Sequence, residues 1–421
     1  MAPWTHTYVS PQTERRMCCA SREPARNFQQ YIDTASGTGQ YQPITLEQHW
    51  NSDHMKSVRR RMMAGEVLPE CEVCDQKLLN TDVYRDYFWH LFRHRYDDVW
   101  TTTDTTGATT MRPVSWDYRF TNLCNFKCRH CGDMLSSAWE SEQRQHNMID
   151  WNNSRNNWMR PEMRGEISRF QDTVIEQEFA AAVERGDVEE IYWVGGEPLM
   201  YEQHWRYMQR IIELGHGASI YARYNTNLSR IRHRGVDLYQ DILAHVRDWQ
   251  ICASLDGTEH VGEYIRDGLD YVTWIKNYQQ GLAHRNHRRQ MRIDFTLTLP
   301  GMLEVERIQQ LALDLDSDVL AKLIFSFTPD IIMSPLALPR DILNNWVDCT
   351  APQLPPGALR DVVLQLKHRP VFAEQWPDTY QTALIAGKRR LARVDAIRGS
   401  TGLGAILQQD KNLHDWYQQI A

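Results

Sequence analysis

The chain has 421 residues, a net charge of −7 at pH 7 and nine cysteines. This length permits two or three domains with a sizeable core, and the acidic balance gives no global basic field that would favour nucleic acid. The start of the chain lacks a charged segment followed by an apolar one, and no stretch approaches the roughly 18 apolar residues of a membrane span. We therefore expect a soluble, cytoplasmic protein without a membrane partner, in which cysteines indicate metal binding or catalysis rather than disulfides.

The first hundred residues combine cysteine pairs with helical patterns. Apolar residues recur at helical spacing over 50–65 and 81–100. The cysteines of this region are Cys18, Cys19, Cys71 and Cys74. A C-x2-C pair such as the second one is also half of a common zinc site. Residues 101–110 are mostly threonine, which predicts a low-complexity linker and a domain boundary.

Beyond this linker, stretches typical of strands alternate with helical patterns. The predicted strands are 114–120, 191–194, 218–224, 249–255, 291–299 and 321–328. The predicted helices between them are 172–185, 198–214, 237–248, 269–283 and 302–314. Such alternation requires crossover connections and predicts a parallel sheet. We expect an α/β fold with an open, partial (β/α)6 barrel over residues 111–330.

Two regions fall outside this alternation. The insertion 133–170 is too long for a bare loop, so we expect a short helix within it. After Pro339 the pattern is mostly helical, which predicts a helical C-terminal region over 331–421.

Three cysteines occupy one short loop directly after the first strand of the alternation. They are Cys124, Cys128 and Cys131, spaced x3 and then x2. Three thiolates can hold three irons of a [4Fe–4S] cluster and leave the fourth iron open to bind a small molecule. A zinc site is the alternative, but zinc ligands usually come in two pairs that close a tetrahedron. The spacing therefore favours an iron–sulfur cluster.

Glycines and an acid follow the second strand, at the sheet edge where parallel sheets bind ligands. The strand 191–194 runs into Gly195, Gly196, Glu197 and Pro198. Two glycines permit close approach of the backbone to a ligand, and a glutamate can take up an ammonium group. The same four residues also form an ordinary turn in many proteins.

The third and fourth strands end in further polar residues. These are Asn225, Thr226, Asn227, Ser254 and Asp256. Their hydroxyl, amide and carboxylate groups suit a ribose and an amino-acid head, and their order along successive strands argues for a single binding site. Arg266 is a candidate partner for the carboxylate of such a ligand, with a solvated surface arginine as the alternative.

Taken together, residues 111–330 resemble the radical S-adenosylmethionine (radical SAM) superfamily in the three-cysteine loop, the Gly195–Pro198 motif and the Ser254–Asp256 strand end. The resemblance implies a [4Fe–4S] cluster whose open iron chelates S-adenosylmethionine. It implies reductive cleavage of this cofactor to a 5′-deoxyadenosyl radical that abstracts hydrogen from a substrate, with electrons from a donor such as flavodoxin or ferredoxin. His130 departs from the aromatic residue that often precedes the third cysteine in the family.

The N-terminal region resembles the auxiliary-cluster segment of SPASM/twitch radical SAM proteins, here placed before the barrel. The resemblance rests on the Pro3–His6 and Trp50–Asp53 segments together with the two cysteine pairs. It implies an auxiliary iron–sulfur cluster domain over 1–100. The implied ligands are Cys18, Cys71 and Cys74. The cysteine that commonly precedes the Pro-Trp pair in relatives is absent. This leaves a fourth position without that ligand, open to Cys19, to the substrate or to another side chain such as His6.

By analogy with these relatives, we expect a peptide or a small molecule as substrate. Two short basic runs, His284–Arg289 and Lys388–Arg390, keep open an RNA- or nucleotide-modifying radical SAM enzyme. A non-catalytic zinc or nucleic-acid-binding protein is the alternative from a different class. Metal analysis separates these classes, because iron with sulfide favours the enzymes and zinc alone favours the binding protein.

Overall fold

The computed structural model describes residues 1–21, 43–72, 74, 84–324, 326 and 330–421. Parts of the predicted helix 81–100 and of the predicted strand 321–328 lie outside these residues. Contacts divide the chain into two units. The first consists of Met1–Cys124, Asp133–Asn225 and Arg232–Gln250. The second consists of Asn125–Gly132, Thr226–Ile231 and Ile251–Ala421.

The first unit begins with short helices and strands. They are α1 (Ala2–Thr5), β1 (His6–Val9), β2 (Arg15–Arg16), α2 (Leu46–Trp50), α3 (Asp53–Met63), α4 (Tyr84–Phe92) and α5 (Tyr96–Thr102). The side chain of Ser52 caps α3 by accepting a hydrogen bond from the Met55 N–H at 3.3 Å. Met55 and Val58 on the inner face of α3 are fully buried, as the apolar spacing predicts.

The remainder of the first unit alternates strands with helices. The elements are β3 (Ser115–Tyr118), α6 (Ser137–Gln145), α7 (Pro161–Phe170), α8 (Glu176–Arg185), β4 (Glu190–Trp193), α9 (Glu202–Glu213), β5 (Tyr221–Thr226), β6 (Arg232–His233) and β7 (Val236–Asp237). The expected helix in the insertion 133–170 is confirmed by α6 and α7.

The strands of the first unit are ordered β5-β4-β3-β1-β2, and only β2 runs antiparallel to its neighbour. Thr7 of β1 lies opposite Trp116 of β3, and Tyr192 of β4 lies opposite Arg223 of β5. The predicted α/β class with parallel strands is therefore confirmed. The pairing of β1 with β3 is not anticipated by the sequence pattern, since it joins a strand from the N-terminal region to the predicted barrel strands.

The two faces of these strands differ in chemistry, because successive side chains point to opposite sides. One face packs an aromatic core in which Trp116, Phe120 and Trp193 meet Phe179 of α8 at ring-centroid distances of 5.6–5.9 Å. The opposite face carries polar side chains: Ser115, Asp117, Arg119, Glu190, Tyr192, Arg223 and Asn225. Burial of the aromatic face holds the sheet against its helices and leaves the polar face for other contacts.

The second unit contains the end of strand β8 (Asp248–Ser254), from Ile251 onward, together with β9 (Met291–Leu297) and β10 (Asp318–Leu323). These strands are parallel and in the order β10-β9-β8. Its helices between these strands are α10 (Glu259–Ile265), α11 (Tyr271–His284) and α12 (Val305–Asp314). The chain then continues as α13 (Arg340–Thr350), α14 (Ala358–Gln365), α15 (Phe372–Gln375), α16 (Tyr380–Arg398), α17 (Leu403–Leu407) and α18 (Lys411–Gln419). In the described part of the chain, no helix combines the length and apolarity needed to cross a membrane.

The predicted helix 237–248 is wrong, because this segment forms two short turns rather than a regular helix. The sequence pattern predicts a regular helix over 237–248, but β7 ends at Asp237 and is followed by a π turn, Leu238–Ile242, and a 3-10 turn, Leu243–His245. The Asp237 carboxylate accepts hydrogen bonds from the N–H groups of Tyr239 and Gln240, at 2.9 and 3.0 Å. This cap starts a tight turn, and the apolar residues that mimic a helical period are buried within it.

The threonine-rich segment is an ordered turn packed on α3. Asp104 accepts hydrogen bonds from the N–H groups of Thr106 and Ala108, at 2.8 and 3.0 Å. Gly107 has a φ of +86°, and a Cβ placed there would lie 2.2 Å from the carbonyl oxygen of Lys56. A side chain at this position would therefore strain the backbone and collide with α3.

We expect Gly107→Ala to lower the free energy of unfolding by clearly more than Gly65→Ala, as measured by urea denaturation. Gly65 has a similar φ of +74°, but a Cβ placed there would meet no atom within 4 Å. Its replacement therefore reports only the left-handed backbone, about 1–2 kcal/mol. Equal losses in the two variants would show that the segment yields freely and is not packed on α3.

Candidate functional site

The second unit holds two of the three clustered cysteines in a tight turn. The Cys131 N–H donates to the carbonyl oxygen of Cys128 at 3.0 Å, and Cys128 is 7% exposed. Nη1 of Arg266 lies 4.0 Å from Cys128 Sγ. Burial raises the pKa of the Cys128 thiol to about 12, although the Arg266 charge acts in the opposite direction. A free thiol here stays protonated at neutral pH.

Three of the residues around this turn form a buried polar group. The Oδ2 atom of Asp256 lies 2.7 Å from Nε of Arg266 and 3.4 Å from Nε2 of His130, and Oδ1 accepts a hydrogen bond from the Thr296 N–H at 2.8 Å. Burial opposes ionisation of Asp256, but the charges of Arg266 and His130 and the Thr296 N–H outweigh it, so its pKa is lowered. The structure thus brings together two predicted ligand-binding residues, Asp256 and Arg266, as an ion pair.

The backbone of the cysteine loop is fixed to the segment after α10. The N–H groups of Lys127 and Arg129 donate to the carbonyl oxygens of Asp267 and Ile265, each at 2.8 Å. Gly268, at a φ of +109°, lies so close that a Cβ would be 2.8 Å from the ring of Phe126. The loop therefore has a defined backbone conformation before any ligand binds.

The Arg129 side chain fixes the same loop to the C-terminal helices. Its Nε and Nη2 donate to Oδ1 of Asp395 in α16, at 2.9 and 2.7 Å, and Nη2 also donates to Ser400 Oγ at 2.7 Å. The guanidinium stacks on the Tyr264 ring at 3.8 Å, and the Tyr264 hydroxyl donates to Asp395 Oδ2 at 3.0 Å. Sequence reasoning missed this group, since Arg129 and Asp395 are 266 residues apart.

In the first unit, the Gly195–Pro198 motif packs on the chain just before Cys124. A Cβ on Gly196 would lie 2.2 Å from the carbonyl oxygen of Leu123, and the same oxygen accepts a hydrogen bond from the Glu197 N–H at 2.7 Å. The close backbone approach that we expected toward a ligand is thus observed toward Leu123. The Glu197 carboxylate is buried and accepts a hydrogen bond from the Leu199 N–H at 3.0 Å, which caps the turn Pro198–Met200.

The other predicted strand-end residues have partners within their own units. In the first unit, Asn225 Oδ1 accepts a hydrogen bond from the Tyr192 hydroxyl at 2.8 Å. In the second unit, Asn227 donates to the side-chain oxygen of Asn125 at 2.9 Å, and Thr226 Oγ1 accepts from the Leu228 N–H at 3.0 Å. Asn227 therefore connects a predicted strand end to the cysteine loop. Ser254 is partly exposed at the end of β8.

The described cysteines of the N-terminal region are neighbours in the first unit. Cys18 is buried beside Met17, Met55 and Phe88, and Cys71 packs against the same apolar cluster. Burial, together with the nearby Cys19 thiol and with Cys74 and Cys71, raises the pKa of Cys18 well above its usual value. The structure therefore brings Cys18 close to the other two predicted ligands of the auxiliary cluster.

The N-terminal thiols do not form a ready site for a single metal ion. Among the described residues, no three His, Cys, Asp or Glu side chains converge closely enough to hold one. His6, the other candidate ligand, instead shares a hydrogen bond with Ser115, with its Nδ1 2.7 Å from Oγ, and its ring centroid lies 4.5 Å from that of Phe88.

The chain matches the family model described as Radical SAM superfamily over residues 118–279. Residues 118–279 are therefore similar to the radical SAM superfamily. The match leaves the substrate open. The family implies a [4Fe–4S] cluster and S-adenosylmethionine as cofactors. No curated protein sequence matches the chain.

Solved structures of radical SAM enzymes give weaker likenesses. Native anSMEcpe with bound AdoMet has 16% identity and a TM-score of 0.37, covering 56% of this chain and 59% of its own. SuiB from Streptococcus suis, bound to its precursor peptide SuiA, has 14% identity and a TM-score of 0.35, covering 87% of this chain and 78% of its own. The chain spans 51–59% of the length of the first three structures. TM-scores below 0.5 do not establish a shared fold or function.

The matched residues contain the donor set that the cofactors of the radical SAM superfamily require. Three thiols on one eight-residue loop match the three cluster ligands, and burial disfavours a free thiolate at Cys128, whereas coordination to iron replaces the proton. Nδ1 of His130 is buried without a hydrogen-bond partner among the described residues, which leaves one polar atom beside the cysteines for a ligand. The residues present therefore fit the implied group.

The two basic runs are used within the second unit. Arg285 and Arg288 pair with Asp316 at 2.6 and 2.8 Å. Lys388 donates to the Tyr417 carbonyl oxygen at 3.1 Å, and Arg390 pairs with Asp330. These pairings leave less free positive charge for a phosphate backbone than the sequence suggested.

We expect Asp395→Ala to lower the free energy of unfolding by about 3–5 kcal/mol, because it leaves the buried Arg129 guanidinium without its carboxylate. Asp415→Ala is the matched control, since it breaks an exposed pair with Lys411 in α18 and should change stability little. Urea denaturation of both variants measures the difference. Equal stabilities would show that Asp395 does not hold the loop.

Proposed function

We propose that this protein binds a [4Fe–4S] cluster through Cys124, Cys128 and Cys131 and uses S-adenosylmethionine to abstract hydrogen from a peptide or small-molecule substrate. The observation that carries the proposal is the match to the radical SAM superfamily over residues 118–279, which contain the three-cysteine loop. A reduced donor such as flavodoxin or ferredoxin would supply the electron.

When bound, the cluster and S-adenosylmethionine supply a 5′-deoxyadenosyl radical, and the protein supplies their placement. Hydrogen bonds from the Lys127 and Arg129 N–H groups fix the backbone of the loop, and the cysteine side chains would turn toward the cluster on binding. We assign Arg266 and Asp256 to cofactor binding because their ion pair lies beside Cys128 in the second unit. The guanidinium can donate hydrogen bonds to a carboxylate, and the Asp256 carboxylate can accept a hydrogen bond from a ribose hydroxyl.

The remaining assignments follow the strand ends. We propose that Glu197 receives the ammonium group of the cofactor, with Gly195, Gly196 and Pro198 shaping the backbone that presents it. The Glu197 side chain is buried and already capped onto Leu199, so its position is fixed in advance. Further proposed contacts are Asn225, Thr226, Asn227 and Ser254.

We also propose that Cys18, Cys71 and Cys74 hold an auxiliary iron–sulfur cluster within the first unit. Support comes from the proximity of the three thiols and from the apolar residues Met55 and Phe88 around Cys18, which would shield a cluster from water. Cys19 differs from Cys18, since its nearby charges include Asp117 and Arg119 on the polar face of the sheet. A fourth ligand would be the substrate or another side chain such as His6.

The protein, reconstituted without oxygen and reduced with dithionite, should convert S-adenosylmethionine to 5′-deoxyadenosine and methionine, even without its substrate. Cys128→Ala should abolish 5′-deoxyadenosine formation, because removal of a cluster ligand prevents assembly of the open-iron cluster. Cys349→Ser is the control, since Cys349 is exposed and far along the chain from the loop. Chromatography of the products provides the measurement. Product formation by the Cys128 variant would disprove the assignment of this loop.

A test for the auxiliary cluster requires a variant that cannot bind the first cluster. In a variant with Cys124, Cys128 and Cys131 replaced by alanine, anaerobic reconstitution should still load iron and sulfide, with a Mössbauer or EPR signal of a second cluster. Adding Cys18→Ala to this variant should remove that signal. Absence of iron in the first variant, or tight binding of zinc in its place, would contradict an auxiliary iron–sulfur cluster.

A further inference from the structure

One largely buried arginine in the first unit, Arg223, lacks the hydrogen bonds that its counterparts make. Arg15 donates to the Ile44 carbonyl oxygen at 2.7 Å and to the Tyr118 hydroxyl at 2.9 Å. Arg59 donates to Pro3 and Asn51, and Arg119 binds Asp117 through two nitrogens at 3.0 and 3.1 Å. Among the described residues, Arg223 donates none, and its Nε is buried without a hydrogen-bond partner.

Glu190 lies near Arg223 but does not accept a hydrogen bond from it. The distance from Arg223 Nε to Glu190 Oε1 is 3.5 Å, longer than a charge-assisted hydrogen bond. Glu190 Oε1 accepts a hydrogen bond from the Tyr87 hydroxyl at 2.6 Å, and Oε2 accepts one from Ser115. The carboxylate is thus satisfied by two hydroxyl groups and serves the arginine only as a nearby negative charge.

Two tyrosine rings hold the Arg223 guanidinium in place. Its central carbon lies 3.6 Å from the ring centroid of Tyr192 and 4.1 Å from that of Tyr87. Each ring is itself held by a hydrogen bond from its hydroxyl: the Tyr192 hydroxyl donates to Asn225, and the Tyr87 hydroxyl donates to Glu190. Because the rings cover the flat side of the guanidinium, its N–H groups can donate hydrogen bonds only in the plane of the group, along its edge. Since the rings are themselves held by hydrogen bonds, the orientation of this edge is fixed.

The Arg223 side chain lies on the polar face of the sheet. Residues 221, 223 and 225 of β5 are partly exposed, whereas the alternating positions 222, 224 and 226 are buried. The Arg223 side chain is 12% exposed, and its fully buried nitrogen is Nε, so the terminal nitrogens are left for a ligand. Two residues along a strand span about 7 Å, which places Arg223 that far from Asn225 at the strand end.

We infer that Arg223 is the binding residue of a carboxylate subsite, and that the substrate carries a carboxylate which this guanidinium receives through two parallel hydrogen bonds. A guanidinium edge matches a carboxylate in geometry as well as charge. The neighbouring Glu190 carboxylate disfavours a doubly charged phosphate in the same place. The assignment of the carboxylate to a substrate rests on the proposed function, whereas the binding site itself does not.

Calorimetry with two blocked tripeptides tests the subsite on the full chain, reconstituted without oxygen and without S-adenosylmethionine. We expect acetyl-Gly-Glu-Gly-amide to bind at least tenfold tighter than acetyl-Gly-Gln-Gly-amide, and inorganic phosphate to bind more weakly than the glutamate peptide. Arg223→Gln should remove the preference for glutamate. Arg223→Lys, which keeps the charge but not the paired donors, should retain part of it and also serves if the glutamine variant does not fold.

Arg206→Gln is the matched control, since Arg206 is half exposed on α9 and pairs with Glu176. It should leave the glutamate preference unchanged. Equal binding of the two peptides, no detectable binding of either at millimolar concentration, or an unchanged preference in Arg223→Gln would overturn the inference. Formation of 5′-deoxyadenosine is assayed separately. Carboxylate binding without this product would contradict the proposed function but still support the carboxylate subsite.

Discussion

The buried guanidinium of Arg129 is the constraint on which the cysteine loop of the second unit depends. A charge placed away from water needs a full set of partners, and these come from Asp395, Ser400 and the ring of Tyr264. Arg398 of the same helix, α16, donates to the Lys127 carbonyl oxygen at 2.8 Å. The C-terminal helices therefore act on the loop that carries Cys128 and Cys131, and they are part of its support rather than a separate appendage.

A second constraint governs the first unit, where one set of strands must serve two environments. Aromatic residues on one face are buried against helices, and charged residues on the other face are held by hydrogen bonds and stacked rings. Asp117 with Arg119 illustrates a closed pair, in which each charge satisfies the other. Arg223, which contacts the rings of Tyr87 and Tyr192, illustrates an arginine without such a partner. An arginine whose hydrogen bonds are satisfied within the protein stabilises the sheet, whereas an arginine that keeps unused N–H donors can bind a ligand.

Sequence reasoning found what local pattern encodes. Alternation of Trp116, Tyr118 and Phe120 with polar residues identified β3, and cysteine spacing identified the loop after it. It could not find the pair of Arg129 and Asp395, because nothing in either neighbourhood records a partner 266 residues away. The pairing of β1 with β3 was missed for the same reason. At 237–248 the apolar spacing does mark buried residues, but the capping carboxylate of Asp237 starts a different kind of turn.

The π turn between α7 and α8 determines which side of α7 is buried. Gln171–Ile175 lies inside an otherwise continuous helix, where Ile175 is fully buried and the Gln171 side chain donates to the Pro11 carbonyl oxygen at 2.5 Å. A π turn holds one residue more than an α-helical turn, which rotates the helix before it by about 100° around its axis. Deletion of one residue from this turn would therefore move Ile167 of α7 away from Trp158 and Met159, with which it forms a buried cluster.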